Sequence, residues 1–343
     1  MAKIIEIEQF LASAESFPVV DVRAPGEFKE GHIPGAVNLP LFSDEERAVV
    51  GTYYKKNGQY KAMLSGLDFV GPKMSEFVRS AHKLAKQGVI NVHCWRGGMR
   101  SQSMAHLFEF SGLKTNVLKG GYKAYRNYIK QEYGKAQKIF VLGGSTGSGK
   151  TEILYELEKL GQQIIDLEGL ANHKGSAFGA IGENDQLPNE QFENNIYEFW
   201  KKLDLSKAIW IEDESKSIGK NYVPDELYQS IRSSKVIYLD VPKEIRVLRL
   251  IKDYAKYDVN LAEQAIIKIQ KRLGNENARM CIEALKNKEF DKVADVSLNY
   301  YDKTYNFGVS KRDKETVFNV PTDTGEAKLN AIKVLDYVNN NFI

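Results

Sequence analysis

Residues 144–151 read Gly-Ser-Thr-Gly-Ser-Gly-Lys-Thr, and this run restricts the fold more than any other part of the chain. It fits the pattern G-x-x-x-x-G-K-[ST]. The apolar run Lys138-Ile139-Phe140-Val141-Leu142 before it predicts a buried strand, and a helix is predicted over residues 152–160 after it. Strand, glycine loop and helix in that order belong to a parallel α/β sheet, where ligands bind at the carboxyl ends of strands. The glycines let backbone N–H groups converge on phosphate oxygens, and the helix N-terminus adds partial positive charge. Gly144, Ser145, Thr146, Gly147, Ser148 and Gly149 are the expected cradle. Lys150 is the expected contact to the terminal phosphates, and Thr151 the expected magnesium ligand. The motif asks for a diphosphate-bearing ligand; it does not specify ATP.

Further strands are predicted at residues 163–167, 208–211 and 236–241, with helices between. Two of them end in carboxylates. Glu212 follows Ile209-Trp210-Ile211, either as a magnesium ligand (directly or through water) or as part of an acidic loop. Asp166 and Glu168 form a similar pair, and Asp166 joins the expected diphosphate site.

A second site lies upstream. Pro18-Val19-Val20-Asp21-Val22 and Val89-Ile90-Asn91-Val92-His93 read as short buried strands. A helix is predicted over residues 73–86, with Met74, Phe77, Val78, Ala81 and Leu84 at helical spacing and Gly88 ending it. Cys94 stands where the second strand stops. Trp95-Arg96-Gly97-Gly98-Met99 follows, and a helix is predicted from Arg100 to Phe110. Amides of such a loop make an anion nest, and the helix start and Arg100 favour the thiolate, so Cys94 is the expected nucleophile. Cys281 has no such setting and reads as a buried structural residue.

Asp21-Val22-Arg23, Glu27 and Gly31-His32-Ile33-Pro34-Gly35-Ala36 resemble the N-terminal signature of rhodanese domains, which carry a chalcogen on the loop cysteine as a persulfide. Here the loop is one residue longer than in sulfur rhodaneses. It matches the H-C-x5-R pattern of rhodanese-fold phosphatases and makes a wider cradle. Three segments sharpen the resemblance: residues 94–101, residues 166–179 and Trp210-Ile211-Glu212-Asp213-Glu214-Ser215. With the pairing of the two domains, they resemble the bacterial tRNA 2-selenouridine synthases from about Val20 to Tyr305. The resemblance implies exchange of sulfur for selenium at C2 of the wobble 2-thiouridine of tRNA. It implies an S-geranyl intermediate, with geranyl diphosphate and selenophosphate as co-substrates and a selenophosphate-producing enzyme as a partner. Cys94 would take up selenium, and Arg96 and Arg100 would hold the phosphate part.

The expected domains are residues 1–133 and 138–343, joined by a linker at Gly134-Lys135-Ala136-Gln137. A net charge of +3 does not announce a nucleic-acid partner, so RNA must be gripped by local patches. Lys119, Lys123, Arg126 and Lys130 recur at helical spacing within a connecting segment near 119–132, beside a stripe of Tyr122, Tyr125 and Ile129. This reads either as an RNA-binding face or as a packed connecting helix with a solvated basic side. Two isolated cysteines, no secretory leader and no membrane-length apolar run give an expected cytoplasmic location. The rival readings are a rhodanese-fold phosphatase fused to a small-molecule kinase, and a non-catalytic RNA-binding module. The tail after Gly308 adds little to the resemblance.

Overall fold

The structure, a computed structural model, describes residues 2–135, 138–256 and 258–342. Ala136 and Gln137 of the expected linker lie outside the described residues. Two compact units emerge: residues 1–132 with 188–195, and residues 133–187 with 196–343. Division at the linker alone did not foresee that residues 188–195 go with the first unit.

The first unit carries a parallel sheet of β1 (Lys3–Ile5), β2 (Val19–Asp21), β3 (Val37–Asn38), β4 (Val89–His93) and β5 (Lys114–Leu118), in the order β1-β5-β4-β2-β3. Strands covered on both faces are rich in apolar residues, and Val19, Val20, Ile90 and Val92 are all buried, as are the polar Asp21, Asn91 and His93. Phe77 and Ala81 from the helix Met74–Leu84, and Met104 and Phe108 from Met99–Phe110, pack in one core with Val20, Val92 and Cys94. The central strand β4 therefore delivers Cys94 to its carboxyl end.

One long element escaped the sequence reading. The helix Asp44–Val70 begins with a capping box, in which Ser43 Oγ accepts from the Glu46 N–H at 3.2 Å and Glu46 accepts from the Ser43 N–H at 2.8 Å. It breaks at Gly58, whose φ of +83° is left-handed.

The second unit carries β6 (Ile139–Gly143), β7 (Gln163–Ile165), β8 (Ile209–Glu212), a small hairpin of β9 (Ser217–Ile218) and β10 (Asn221–Tyr222), β11 (Lys235–Asp240) and β12 (Val317–Pro321). The parallel sheet runs β12-β11-β6-β8-β7, with the phosphate-loop strand β6 at its centre. The tail after Gly308 completes this sheet. β12 pairs along β11, and the helix Ala327–Phe342 buries Ala331, Val334 and Val338 against Leu142, Trp210 and Leu239. Helices Lys243–Tyr254, Val259–Leu273, Asn275–Lys286 and Phe290–Ser310 build a separate apolar cluster. Cys281 lies within it, and burial pushes its thiol up to about 11, so it stays inert. Among the described residues, no helix is long and apolar enough to cross a membrane.

Candidate functional site

The cysteine loop turns its carbonyls outward. The Cys94 carbonyl accepts from the Tyr122 N–H at 2.8 Å and the Trp95 carbonyl from the Lys123 N–H at 3.0 Å. In a trans peptide the N–H opposes the C=O, so the Trp95 and Arg96 amides face into the loop. Gly121 makes this possible: a Cβ there would fall 2.3 Å from the Cys94 carbonyl oxygen. Inside the loop, Cys94 Sγ lies 3.2 Å from Ser101 Oγ, which lies 3.1 Å from the Gly98 carbonyl. His93 is fully buried beneath, and burial holds its imidazole below the usual range. Its Nε2 lies 3.8 Å from the Asp21 carboxylate.

Arg100 donates to Glu27 at 2.6 and 3.3 Å, and Arg47 reaches the same carboxylate at 3.4 Å. Burial alone would raise Glu27, but the Arg100 hydrogen bond and charge outweigh it and hold the carboxyl below its ordinary value. Glu27 thus fixes Arg100 at the loop while leaving it further donors. Arg96 is exposed and lines the same space. That space is a cavity of about 700 Å³ opening on Cys94, with Leu41, Phe42, Val50, Met63, Leu67 and Trp95 in its walls. Arg47, Lys55, Arg96 and Arg100 add charge. The helix Asp44–Val70 forms most of this cavity, which is why spacing around Cys94 could not reveal it.

In the second unit, Lys150 Nζ lies 3.1 Å from the Gly144 carbonyl, and Tyr305 OH accepts from the Gly144 N–H at 3.1 Å. Ser145 Oγ is 3.0 Å from Tyr238 OH. Ser148 Oγ is buried with no partner. Thr146 and Gly147 rest on Arg246, which forms a bidentate pair with Asp302, and Gly149 rests on Arg249, which pairs with Glu152 at 2.7 Å. Both arginines come from the helix Lys243–Tyr254, and sequence reasoning missed them. The only signal was their spacing of three on a helix after a strand.

The carboxylates converge on the same loop. Thr151 Oγ1 donates to Glu168 at 3.0 Å, and Glu212 accepts from the Glu168 N–H at 2.8 Å. The second Glu212 oxygen is buried without a partner. Burial first, then Asp166 and Glu168, push Glu212 well above the carboxylate range, and burial and Glu168 push Glu214 up to about 8. Gly175, with φ +64°, lies over Glu168 and Glu214: a Cβ would fall 2.5 Å from the first and 2.7 Å from the second. Such crowded negative charge with an orphaned oxygen fits a divalent cation held by Thr151, Glu212 and ligand phosphates. Among the described residues, no three carboxylate, histidine or cysteine groups make a ready cage. Asp166 stands at the start of the next helix. It caps the helix Leu167–Leu170, accepting from the Gly169 N–H at 2.8 Å, and bonds Tyr155.

Comparison with known proteins decides the family. The family model described as the tRNA 2-selenouridine synthase AAA domain matches residues 137–331, and a rhodanese-like domain matches residues 6–128. The tRNA 2-selenouridine synthase of Sulfurovum sp. (strain NBC37-1) is 36% identical, over 88% of this chain and 91% of its own. That of Shewanella frigidimarina is 33% identical, over 89% and 92%. The chain belongs to the tRNA 2-selenouridine synthase family. It is an enzyme of tRNA modification.

The basic helix combines packed and exposed positions. Lys119 precedes the helix Gly121–Tyr133 and pairs with Glu6. Arg126 pairs with Glu193 and donates to Asn194, with only 11% of its side chain exposed. Tyr122, Tyr125 and Ile129 are fully buried, and Arg23 lies over the Tyr122 ring at 3.9 Å. Of the four cations, Lys119 and Lys123 are exposed, Lys130 is half-buried, and Arg126 is committed to Glu193. An interleaved set was overlooked. Tyr53, Tyr54 and Tyr60 are exposed among exposed Lys55, Lys56 and Lys61, around Gly58 and beside the cavity. That chemistry grips phosphates and stacks bases. Lys56→Glu with Lys61→Glu is expected to weaken tRNA binding about tenfold and to flatten its salt dependence by about 1.5 in log–log slope, as two lost phosphate contacts require. Filter binding across a salt series measures both; an unchanged slope would place the RNA elsewhere.

Proposed function

We propose that this chain replaces the sulfur of wobble 2-thiouridine in tRNA by selenium through an S-geranyl intermediate, with geranyl diphosphate and selenophosphate as co-substrates. A thiocarbonyl sulfur is a poor leaving group, and alkylation converts it into one that departs as a thiol. The phosphate loop suits the diphosphate, with Lys150 against the departing charge. Magnesium bound at Thr151 and the carboxylates would neutralise further charge there.

The observation that carries this reading is the apolar cavity at Cys94. The geranyl chain hangs from C2 through a single sulfur. When C2 meets the cysteine loop, the chain must enter whatever adjoins Cys94. What adjoins it is a hydrocarbon-lined space within the size range of ligand pockets. A phosphatase acting on small polar esters has no use for such walls.

Ala48 lines the cavity from an exposed helix position, so a larger side chain there fills the space without overpacking the core. Ala48→Trp is expected to raise KM for S-geranylated tRNA at least about tenfold, since excluding two methylenes from burial already costs about 1.6 kcal/mol. KM for 2-thiouridine tRNA without the chain should change much less. Equal KM values for Ala48→Trp and wild type would move the chain out of this cavity. No S-geranyl nucleoside from wild type supplied with geranyl diphosphate would end the reading itself.

A further inference from the structure

We propose that Cys94 attacks the phosphorus of selenophosphate, not its selenium, and so frees hydrogen selenide beside the tRNA base. The proposal rests on the reading that selenophosphate is the selenium donor.

Electron balance separates the two attacks. A rhodanese cysteine takes a sulfur at the zero oxidation level. Selenium in selenophosphate is already at the selenide level, bound to phosphorus(V). Thiolate attack on selenium would expel phosphorus as phosphite, and a reductant would then be needed to return the selenium to selenide. Attack on phosphorus needs neither. An S–P bond forms, the P–Se bond breaks, and selenium leaves with the bonding pair as hydrogen selenide. That anion adds to C2 of the S-geranyl base; the C2–Se bond forms, the C2–S bond breaks, and geranyl thiol departs. Water then cleaves the S–P bond, giving phosphate and the free thiol.

The loop is built for a phosphoryl group. Five residues separate Cys94 from Arg100, and the Trp95 and Arg96 amides face inward because their carbonyl partners are bound outside. Two amides and the Arg100 guanidinium together offer a donor to each of three phosphoryl oxygens, whereas a lone chalcogen atom presents one centre. Arg100, held by Glu27, has donors left for two of those oxygens. Ser101 supplies what hydrolysis of an S–P bond requires. Its hydroxyl lies within reach of both Cys94 Sγ and the Gly98 carbonyl. The hydrogen can rest on Gly98 while the sulfur is phosphorylated, then turn to the thiolate as it leaves. Ser101 is thus a positioning residue acting through Cys94.

The test supplies the intact enzyme, without tRNA, with selenophosphate labelled with 32P or with 75Se. After rapid quench, up to one 32P per chain is expected on Cys94, with free selenide in equal amount and no retained 75Se. Cys94→Ala should retain neither label. Ser101→Ala should lengthen the life of the phosphoenzyme at least about tenfold. Retention of 75Se on wild-type enzyme overturns the proposal, and so does phosphite as the product. Retention of neither label, while the same preparation makes 2-selenouridine from added S-geranyl tRNA, also overturns it. Failure of wild type to make 2-selenouridine from selenophosphate at all removes the donor reading, a different failure seen in a different assay. If Ser101→Ala does not fold, the two labels on wild type still decide.

Discussion

The Cys94→Ala enzyme is expected to convert 2-thiouridine in tRNA to its S-geranyl form and to stop there. Alkylation of sulfur needs a grip on the diphosphate and no thiol. Selenium entry needs the thiol and no diphosphate. Removing Sγ deletes the nucleophile outright, so the selenium step should fall roughly ten-thousand-fold, as for other lost nucleophiles. The fold should tolerate the change. Cys94 is buried among Val92, Met104 and Phe108, and loss of one sulfur leaves a small void costing about 1–2 kcal/mol. A nucleoside mass profile reads the outcome: S-geranyl-2-thiouridine should accumulate while 2-selenouridine disappears. Continued 2-selenouridine from Cys94→Ala would end any nucleophilic role for the residue.

Lys150→Ala is expected to show the reverse pattern. Its ammonium is the one cationic side chain that the G-x-x-x-x-G-K-[ST] run itself aims at the loop. Losing a charge partner for a leaving diphosphate typically costs about 100- to 1,000-fold in rate. Geranylation should drop by that amount, whereas tRNA that is already geranylated should still gain selenium. Feeding each intermediate in turn, with circular dichroism as a check on folding, separates the steps. Full geranylation by Lys150→Ala would shift the diphosphate to the cations around the first unit's cavity, Arg47, Lys55 and Arg96. Loss of both steps in both variants would mean one indivisible site.

What the sequence disclosed, and what it hid, follows from how far each signal reaches along the chain. The phosphate loop and the cysteine loop are local: each is a strand end, a few glycines and a helix start, and each stands where its spacing placed it. The parallel sheets were legible for the same reason, as short apolar runs at β2, β4, β6, β8 and β11. The cavity was not legible, because its walls come from residues 41–70 as well as from the cysteine loop. The helix Asp44–Val70 hides its own character, since apolar and charged residues alternate around a break at Gly58. The basic spacing from Lys119 to Lys130 left two readings open because spacing reports charge and not partners. Arg126 is committed to Glu193, far away in sequence. Arg246 and Arg249 escaped because nothing local ties a helix about a hundred residues downstream to Thr146 or Gly149.

The eight residues 188–195 have a consequence for how this protein comes into being on the ribosome. The first unit cannot be finished when its own sheet has been synthesised. Arg126 then still lacks Glu193, its carboxylate partner 67 residues further on. Asn194, which bonds both the Tyr122 hydroxyl and the His32 carbonyl, is also still to come. A nascent chain released at residue 133 would lack the partners that residues 188–195 supply to Arg126, Tyr122 and His32. Cutting the gene at the obvious linker should therefore yield a fragment that aggregates. A circular permutant or a fragment resupplied with a peptide of residues 188–200 should not.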